Sequence, residues 1–376
     1  LCLYNYANTS FAYTTMPTLA LLVSNSNLNI VTQYQMALVT MFLSGIFFIF
    51  LTCYGLREQI VDSIPMNLKL SMSTGIGLFI SFLGLQSGGG VVSNSSTLVE
   101  LANFSDFANN KDAMLTLIGF VLLAILTHLK INGSVLITVL SISVLSLIFG
   151  HTQIPTSMSF DMSNQFADFL EVSFLKLDFS FIFSSKNIIA TISTVFVALV
   201  SISVSDIFDS VGTFIATAEK ADIIDENGNF PELRKALICD AIATTAGACL
   251  GTSTVTTYVE STAGVSAGGK TGMTSFTTGC LFILALFLAP FTGLIPSCAT
   301  APALIYVGFW MLSTIQKIDF NDITEGIPAF ITIVFMPLTY SISNGVGLGL
   351  ISYVIIKTCV GSGEDITAPT WVMASL

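Results

Sequence analysis

Charge is scarce in this chain. Asp, Glu, Lys and Arg make up 9% of its 376 residues, where a soluble protein carries roughly 25%. That shortage excludes a soluble enzyme, because 53% hydrophobic residues and a mean hydropathy of +0.84 give more apolar surface than one soluble core hides. Positive charge is scarcer still. The 12 Lys and Arg stand against 23 Asp and Glu, a formal charge of −11, so the basic face that a nucleic-acid partner needs is missing. Only two histidines occur, His128 and His151, both at the ends of apolar runs, and the seven cysteines form no CxxC pair. No metal or organic cofactor is expected, and the cysteines read as small apolar residues within helices. No charged leader precedes the first apolar run. The chain opens on Leu1 in the middle of a hydrophobic pattern, and the expectation is a piece that has lost earlier spans.

What the chain has in abundance is long apolar runs. Runs of about 17–25 residues bounded by polar or Gly/Pro punctuation mark membrane spans. They fall at 8–23 (short), 33–54, 66–86, 114–132, 134–150, 188–218, 235–250, 253–270 (broken), 272–290, 296–315, 323–340 and 343–360. About twelve crossings describe an all-α polytopic membrane protein in a lipid bilayer. Two polar stretches, 87–112 and 151–187, separate them. If the segment after the second span is cytoplasmic, that side receives Arg57, Lys69, Lys130, Lys220, Arg234, Lys235, Lys270, Lys317 and Lys357. The far side receives only Lys111, Lys176 and Lys186. This bias toward the cytoplasm supports the span assignment and puts the C-terminus inside.

The stretch 250–270 departs from the apolar pattern. Residues 253–258 are β-branched and hydroxyl-rich, suited to extended backbone. Residues 260–270 are small and suited to a short helix, with Glu260 in its first turn. Irregular backbone at membrane depth is tolerated only where protein or a cavity surrounds it, and broken helices mark transporter binding sites. A weak internal echo points the same way. Residues 33–66 run from an apolar helix through Tyr54-Gly55 to Ile64-Pro65, and residues 272–296 run from another through Thr292-Gly293 to Ile295-Pro296. Each follows a short first element, as in inverted repeats.

Asp206 and Asp209 lie inside the run 188–218, three apart and on one helix face. An ionisable residue at membrane depth costs a few kcal/mol and reads as functional. Together with Glu260 in one low-dielectric site, these carboxylates cannot all be ionised, so one holds a proton near neutral pH, the requirement for proton coupling. The plainer reading of Asp209 is a cap or a bond to Thr213. Asp240, near the cytoplasmic end of its span, reads more readily as a structural ion pair. Thr254, Thr256, Thr257 and Ser261 offer hydroxyls around Glu260 beside Tyr258, although hydroxyls often satisfy only local backbone. Asn8 holds the matching place in the first short element, where its amide can both donate and accept. The GxGxG at 345–349 has no preceding strand and reads as close helix packing. Asp319, Asp322 and Glu325 sit at a helix start, where carboxylates suit the dipole, and Asp225 to Asn229 read as a turn.

The run Asp206-Ile-Phe-Asp-Ser-Val-Gly-Thr213 resembles the D-[IL]-F-D-T-x-G-T motif of AzgA-type purine permeases, within the nucleobase/ascorbate transporter (xanthine/uracil permease) group. Further stretches agree: Asp225 to Asn229, Leu250 through Glu260 to Gly269, Ala299 to Ala303, Ile323 to Pro328 and Met336 to Asn344. The likeness runs from about Asn8 to Lys357 in one order. It implies a fourteen-span fold of two inverted seven-span repeats, a core domain holding substrate, a gate domain flanking it, and elevator-like motion. It also implies proton-coupled uptake of guanine, hypoxanthine or adenine, a homodimer, and a cell-membrane location (the inner membrane in a Gram-negative bacterium). Carried onto this chain, Asp206 is the essential carboxylate, Glu260 the substrate-binding carboxylate, Asn8 the polar residue of the third span and Asp209 a second, family-specific carboxylate. The core parts are then 1–54 and 188–290, the gate parts 55–150 and 291–361, with a far-side loop at 151–187 and a cytoplasmic tail at 362–376. The first span here corresponds to the family's third, so two spans of the family pattern are absent.

Three other readings stay open at this level. An intramembrane aspartyl hydrolase would pair Asp206 with Asp209 or Glu260, but two carboxylates on one helix do not face each other across a scissile bond. A same-fold anion transporter conflicts with an acidic site. A degenerate, non-transporting fragment would insert and bind no purine.

Overall fold

The computed structural model describes residues 30–104, 110–131, 133–150, 167, 169–180, 188–221, 223, 232–252, 254–258, 261–287 and 294–375. The first short span, 8–23, and the turn 225–229 lie outside the described residues. Every continuous span expected after the first has its helix. They are α1 (Ile30–Cys53), α3 (Met66–Ser87), α4 (Lys111–His128), α5 (Ser134–Ile148), α6 (Ile188–Lys220), α7 (Leu233–Cys249), α9 (Gly272–Phe287), α10 (Ser297–Leu312), α11 (Ile323–Thr339) and α12 (Ile342–Val360). Three shorter α-helices are also described: α2 (Leu56–Ser63), α8 (Ser261–Ser266) and α13 (Ala368–Ser375). By length and composition α3, α4, α12 and the stretch Ser297–Lys317 can each cross a membrane among the described residues, as can α1 and α2 taken as one bent span. The polar stretch 87–112 adds one feature the apolar pattern did not announce, an antiparallel hairpin of β1 (Val91–Asn94) and β2 (Leu98–Leu101), with Val91 opposite Leu101.

Local chemistry sets the breaks. Gly55 takes a left-handed φ of 70°, open to glycine without a Cβ penalty, and the chain turns by 76° from α1 into α2. Pro65 then precedes α3 and Pro296 precedes α10. Proline fits a helix start because its missing N–H has no intrahelical role there. The two arms of the sequence echo therefore end in the same device. α11 starts on Asp322, whose carboxylate accepts the Thr324 N–H at 2.9 Å, and α12 starts on Ser341, whose hydroxyl accepts the Asn344 N–H at 3.3 Å.

Packing divides the helices into two neighbourhoods. In one, α1 lies along α7 and touches α6, which in turn carries α8. In the other, α3 lies between α10 and α11, α11 packs on α12, and α10 reaches α4 and α5. Glycine makes the closest approaches. A Cβ on Gly77 of α3 would stand 2.6 Å from Met311 Cβ and 2.9 Å from Gly308 O of α10. A Cβ on Gly45 of α1 would stand 2.8 Å from the Thr245 backbone nitrogen of α7. Small residues that let backbones meet are the means by which helices associate inside a membrane. At one end of the second neighbourhood, Glu325 of α11 accepts from Asn67 Nδ2 of α3 at 2.8 Å and pairs with Lys357 Nζ of α12 at 3.7 Å. The two neighbourhoods meet where α6 crosses α3 and α12. The largest apolar cluster lies there, with Met72, Ile76, Ile207, Val211, Met311, Met336 and Leu350 all buried.

Candidate functional site

α6 is 33 residues long, more than a bilayer crossing needs. Its buried face carries Asp206, Ser210 and Thr213 at the three- and four-residue spacing of one helix side. Asp206 is 4% exposed, so its carboxylate is held inside protein as the sequence requires of an acid at this depth. Asp209 lies on the α6 backbone, but its side chain is outside the described residues, as are Glu260 and Asn8 entirely.

One partner of Asp206 is Arg57. This arginine, counted above among the cytoplasmic cations, has no exposed surface at all. It is an internal ion-pair residue and leaves the loop-charge argument. α2 presents Arg57 and Val61 inward at i,i+4 spacing and leaves Gln59 and Asp62 outward. Arg57 Nη2 stands 3.5 Å from Asp206 Oδ2 and 3.3 Å from Asp240 Oδ2. Asp240, on the buried face of α7, also accepts the Ser210 hydroxyl at 3.1 Å. The guanidinium lies over the Phe48 ring of α1, 4.6 Å from its centroid. Four helices thus converge on one buried cluster of two carboxylates and a guanidinium, and the same helices contribute Phe48, Val61, Ile207 and Leu237 to the main apolar cluster. A lone buried charge is untenable in such surroundings, and the three charges make one another admissible.

The broken element reaches the same helices. Gly251, with φ of 84°, turns the chain out of α7, and Tyr34 of α1 donates its hydroxyl to the Gly251 carbonyl. Residues 254–258 are irregular, and Thr244 of α7 donates to the Val255 carbonyl at 3.1 Å. α8 follows and packs against α6. Of the expected hydroxyl and aromatic contacts, Thr254, Thr256 and Thr257 are half-buried, and Tyr258 and Ser261 are exposed. Among the described residues no group of three His, Cys, Asp or Glu is disposed to hold a metal ion.

Asp206 was legible as a functional candidate from its type and depth. Arg57 was not, because it lies two residues after Gly55 in what reads as a loop and 149 and 183 residues from its partners. A signal existed: Asp206, deep in an apolar run, and Asp240, read as half of an ion pair, required a cation, and the run 56–63 offered one on the inward face of a short helix.

Comparison with known proteins places the chain among transporters. A family model described as a permease family matches residues 3–348. A putative permease of Methanocaldococcus jannaschii is 39% identical over 91% of this chain and 74% of its own length. The adenine permease AdeQ of Escherichia coli is 34% identical over 92% of this chain and 73% of its own. The guanine/hypoxanthine permease PbuG of Bacillus subtilis is 38% identical over 89% of this chain and 72% of its own.

Proposed function

Because this chain belongs to the xanthine/uracil permease family, a group of multi-pass membrane transporters, we propose that it takes up purine nucleobases across the cell membrane in symport with protons. The observation that carries the substrate class is the similarity over about nine-tenths of the chain to permeases of adenine and of guanine/hypoxanthine. Glu260 is the group that accepts N–H bonds from the purine ring, with Asn8, Thr257, Tyr258 and Ser261 as further contacts. Asp206 exchanges the coupled proton, with Asp209 beside it. A base and a proton bound together neutralise the acidic site enough to cross the low-dielectric layer.

The division of the helices into two neighbourhoods supports a moving core and a fixed gate. The core of 1–54 and 188–290 carries the site, and the gate of 55–150 and 291–361 stands fixed. The core slides along the gate as an elevator, which exposes the site to either side in turn. The C-terminus faces the cytoplasm.

Uptake of radiolabelled adenine, guanine and hypoxanthine into cells expressing this chain tests the reading, with and without a protonophore. Protonophore-sensitive uptake of at least one base is the expected result. Uptake indifferent to the protonophore would remove the proton from the mechanism. Absence of uptake with the chain confirmed in the membrane would overturn the assignment.

A further inference from the structure

We infer that Arg57 is a positioning residue of the transport site. It divides its guanidinium between Asp206 and Asp240, and the carboxylate it favours relays the charge state of Asp206 to α2, the helix that joins α1 to α3. This rests on the reading of Asp206 as the coupling carboxylate.

The geometry is that of a shared partner. One nitrogen, Nη2, faces both carboxylates at 3.5 and 3.3 Å, longer than the roughly 2.7–2.9 Å of a full charge-assisted bond. Nε and Nη1 are buried without a hydrogen-bond acceptor among the described residues. A small tilt therefore turns the contact into a two-nitrogen pair with either acid. Arginine keeps its charge at every working pH, so only the carboxylates change. When Asp206 is neutralised or engaged by a ligand, its pull on Arg57 weakens, and Asp240, fixed to α6 through Ser210 at 3.1 Å, takes the larger share. The shift is carried into α2, because Arg57 is walled in by Phe48 and has no solvent to retreat into.

Among the described residues the other charges around α2 reach the surface, apart from Lys69. Glu58 pairs with Arg234 of α7 at 3.6 Å, and Arg234 also donates to the Cys53 carbonyl at 3.2 Å. Asp62 is exposed, Lys69 of α3 is buried and interacts with the Asp62 charge, and Lys235 pairs with Glu232. From the tail, Thr370 of α13 donates to the Ser63 carbonyl at 2.9 Å. α2 is thus held at its solvent side by ordinary contacts and at its inner side by Val61 in the apolar cluster and by one divided ion pair.

The test is the pH profile of purine uptake in Arg57→Gln, Asp240→Asn and the double variant. Loss of the guanidinium removes the positive charge beside Asp206, so the profile of Arg57→Gln moves toward alkaline pH by about one unit, with uptake down about tenfold. Loss of Asp240 leaves Arg57 to Asp206 alone, so the profile of Asp240→Asn moves toward acid pH by about one unit. The double variant keeps the net charge of the cluster and returns toward the native profile. If Arg57→Gln fails to reach the membrane, the double variant and Asp240→Asn carry the comparison. A structural role alone lowers uptake without moving the profile, or moves both profiles in one direction, and either result overturns the proposal. If the native chain takes up no purine, the functional reading fails by itself. The pH dependence of thermal unfolding of the purified chain then decides the inference: opposite movements in Arg57→Gln and Asp240→Asn uphold the divided pair, and parallel or absent movements refute it.

Discussion

At the scale of single residues, the sequence made depth visible but not partnership. An aspartate in an apolar run is conspicuous, so Asp206 stood out, while Asp240 read as half of an ion pair whose other half was not named. Their counter-ion lies on another helix, and no local rule connects positions 149 residues apart. The burial of Arg57 rests partly on Phe48, itself fully buried with the guanidinium at 4.6 Å. Phe48→Leu keeps an apolar filler and removes the ring face. The expected cost is about 1–3 kcal/mol, combining a desolvated cation–π contact with imperfect repacking. Thermal unfolding in detergent measures it, and an unchanged midpoint would mean that the ring is only a spacer. Gly251 makes a second residue-level case. Its φ of 84° suits glycine, and a Cβ there would stand 2.5 Å from Ser173 Cβ and 2.8 Å from the Tyr34 hydroxyl. Gly251→Ala should cost about 1–3 kcal/mol through backbone strain and the displaced Tyr34 bond. The same melting assay reads it, and a neutral result would show that the turn relaxes freely.

At the scale of elements, helix positions were legible because apolar length and punctuation decide them, as in α3, which runs from Pro65 to the glycines after Ser87. The hairpin of β1 and β2 was not legible: its strands have four residues each and lie in a stretch whose Asn and Ser content reads as loop. Which helices touch was equally hidden, since Gly77 and Gly308 look like any membrane glycines until their backbones meet. A Cβ on Gly308 would fall on Gly77 O and Ser81 Oγ. Backbone cannot yield as a side chain can, so Gly308→Ala should separate α10 from α3 at a cost of about 1–3 kcal/mol. Gly347→Ala serves as the control, because a Cβ there meets nothing. Equal melting of the two variants would contradict the packing described. The start of α11 offers a pH-dependent case. The Thr324 hydroxyl and then its backbone N–H hold the exposed Asp322 carboxyl below its ordinary value. A carboxyl lowered on folding stabilises the fold above its unfolded titration range, and that contribution is lost as pH falls through the lowered folded value. Asp322→Asn should therefore remove a small acid-side slope from the stability profile and leave the region above neutrality flat. A native profile with no such slope would show that the cap does not depend on the charge.

At the scale of the whole molecule, the proposed elevator raises the question of what would allow one neighbourhood of helices to move past the other. The motif that suggested a purine permease contains Gly212, and its place at the junction gives that glycine a physical role. It lies on α6 against Ile76 of α3, where the two neighbourhoods cross, and a Cβ there would press on the far end of the Ile76 side chain. The end of a flexible side chain can give way, so Gly212→Ala should fold and cost less than about 1 kcal/mol in a static structure. In the proposed motion sliding is more demanding than standing still, because α6 would have to clear Ile76 on the way and not only at rest. Gly212→Ala should therefore lower the maximal rate of uptake several-fold while the half-saturating purine concentration stays unchanged. Ile76→Ala in the same chain should restore much of the rate by clearing the path. A stable Gly212→Ala variant with native kinetics would mean that α6 and α3 do not move against each other, and the elevator would have to be sought at another boundary. A variant that loses purine affinity instead would assign Gly212 to the shape of the site.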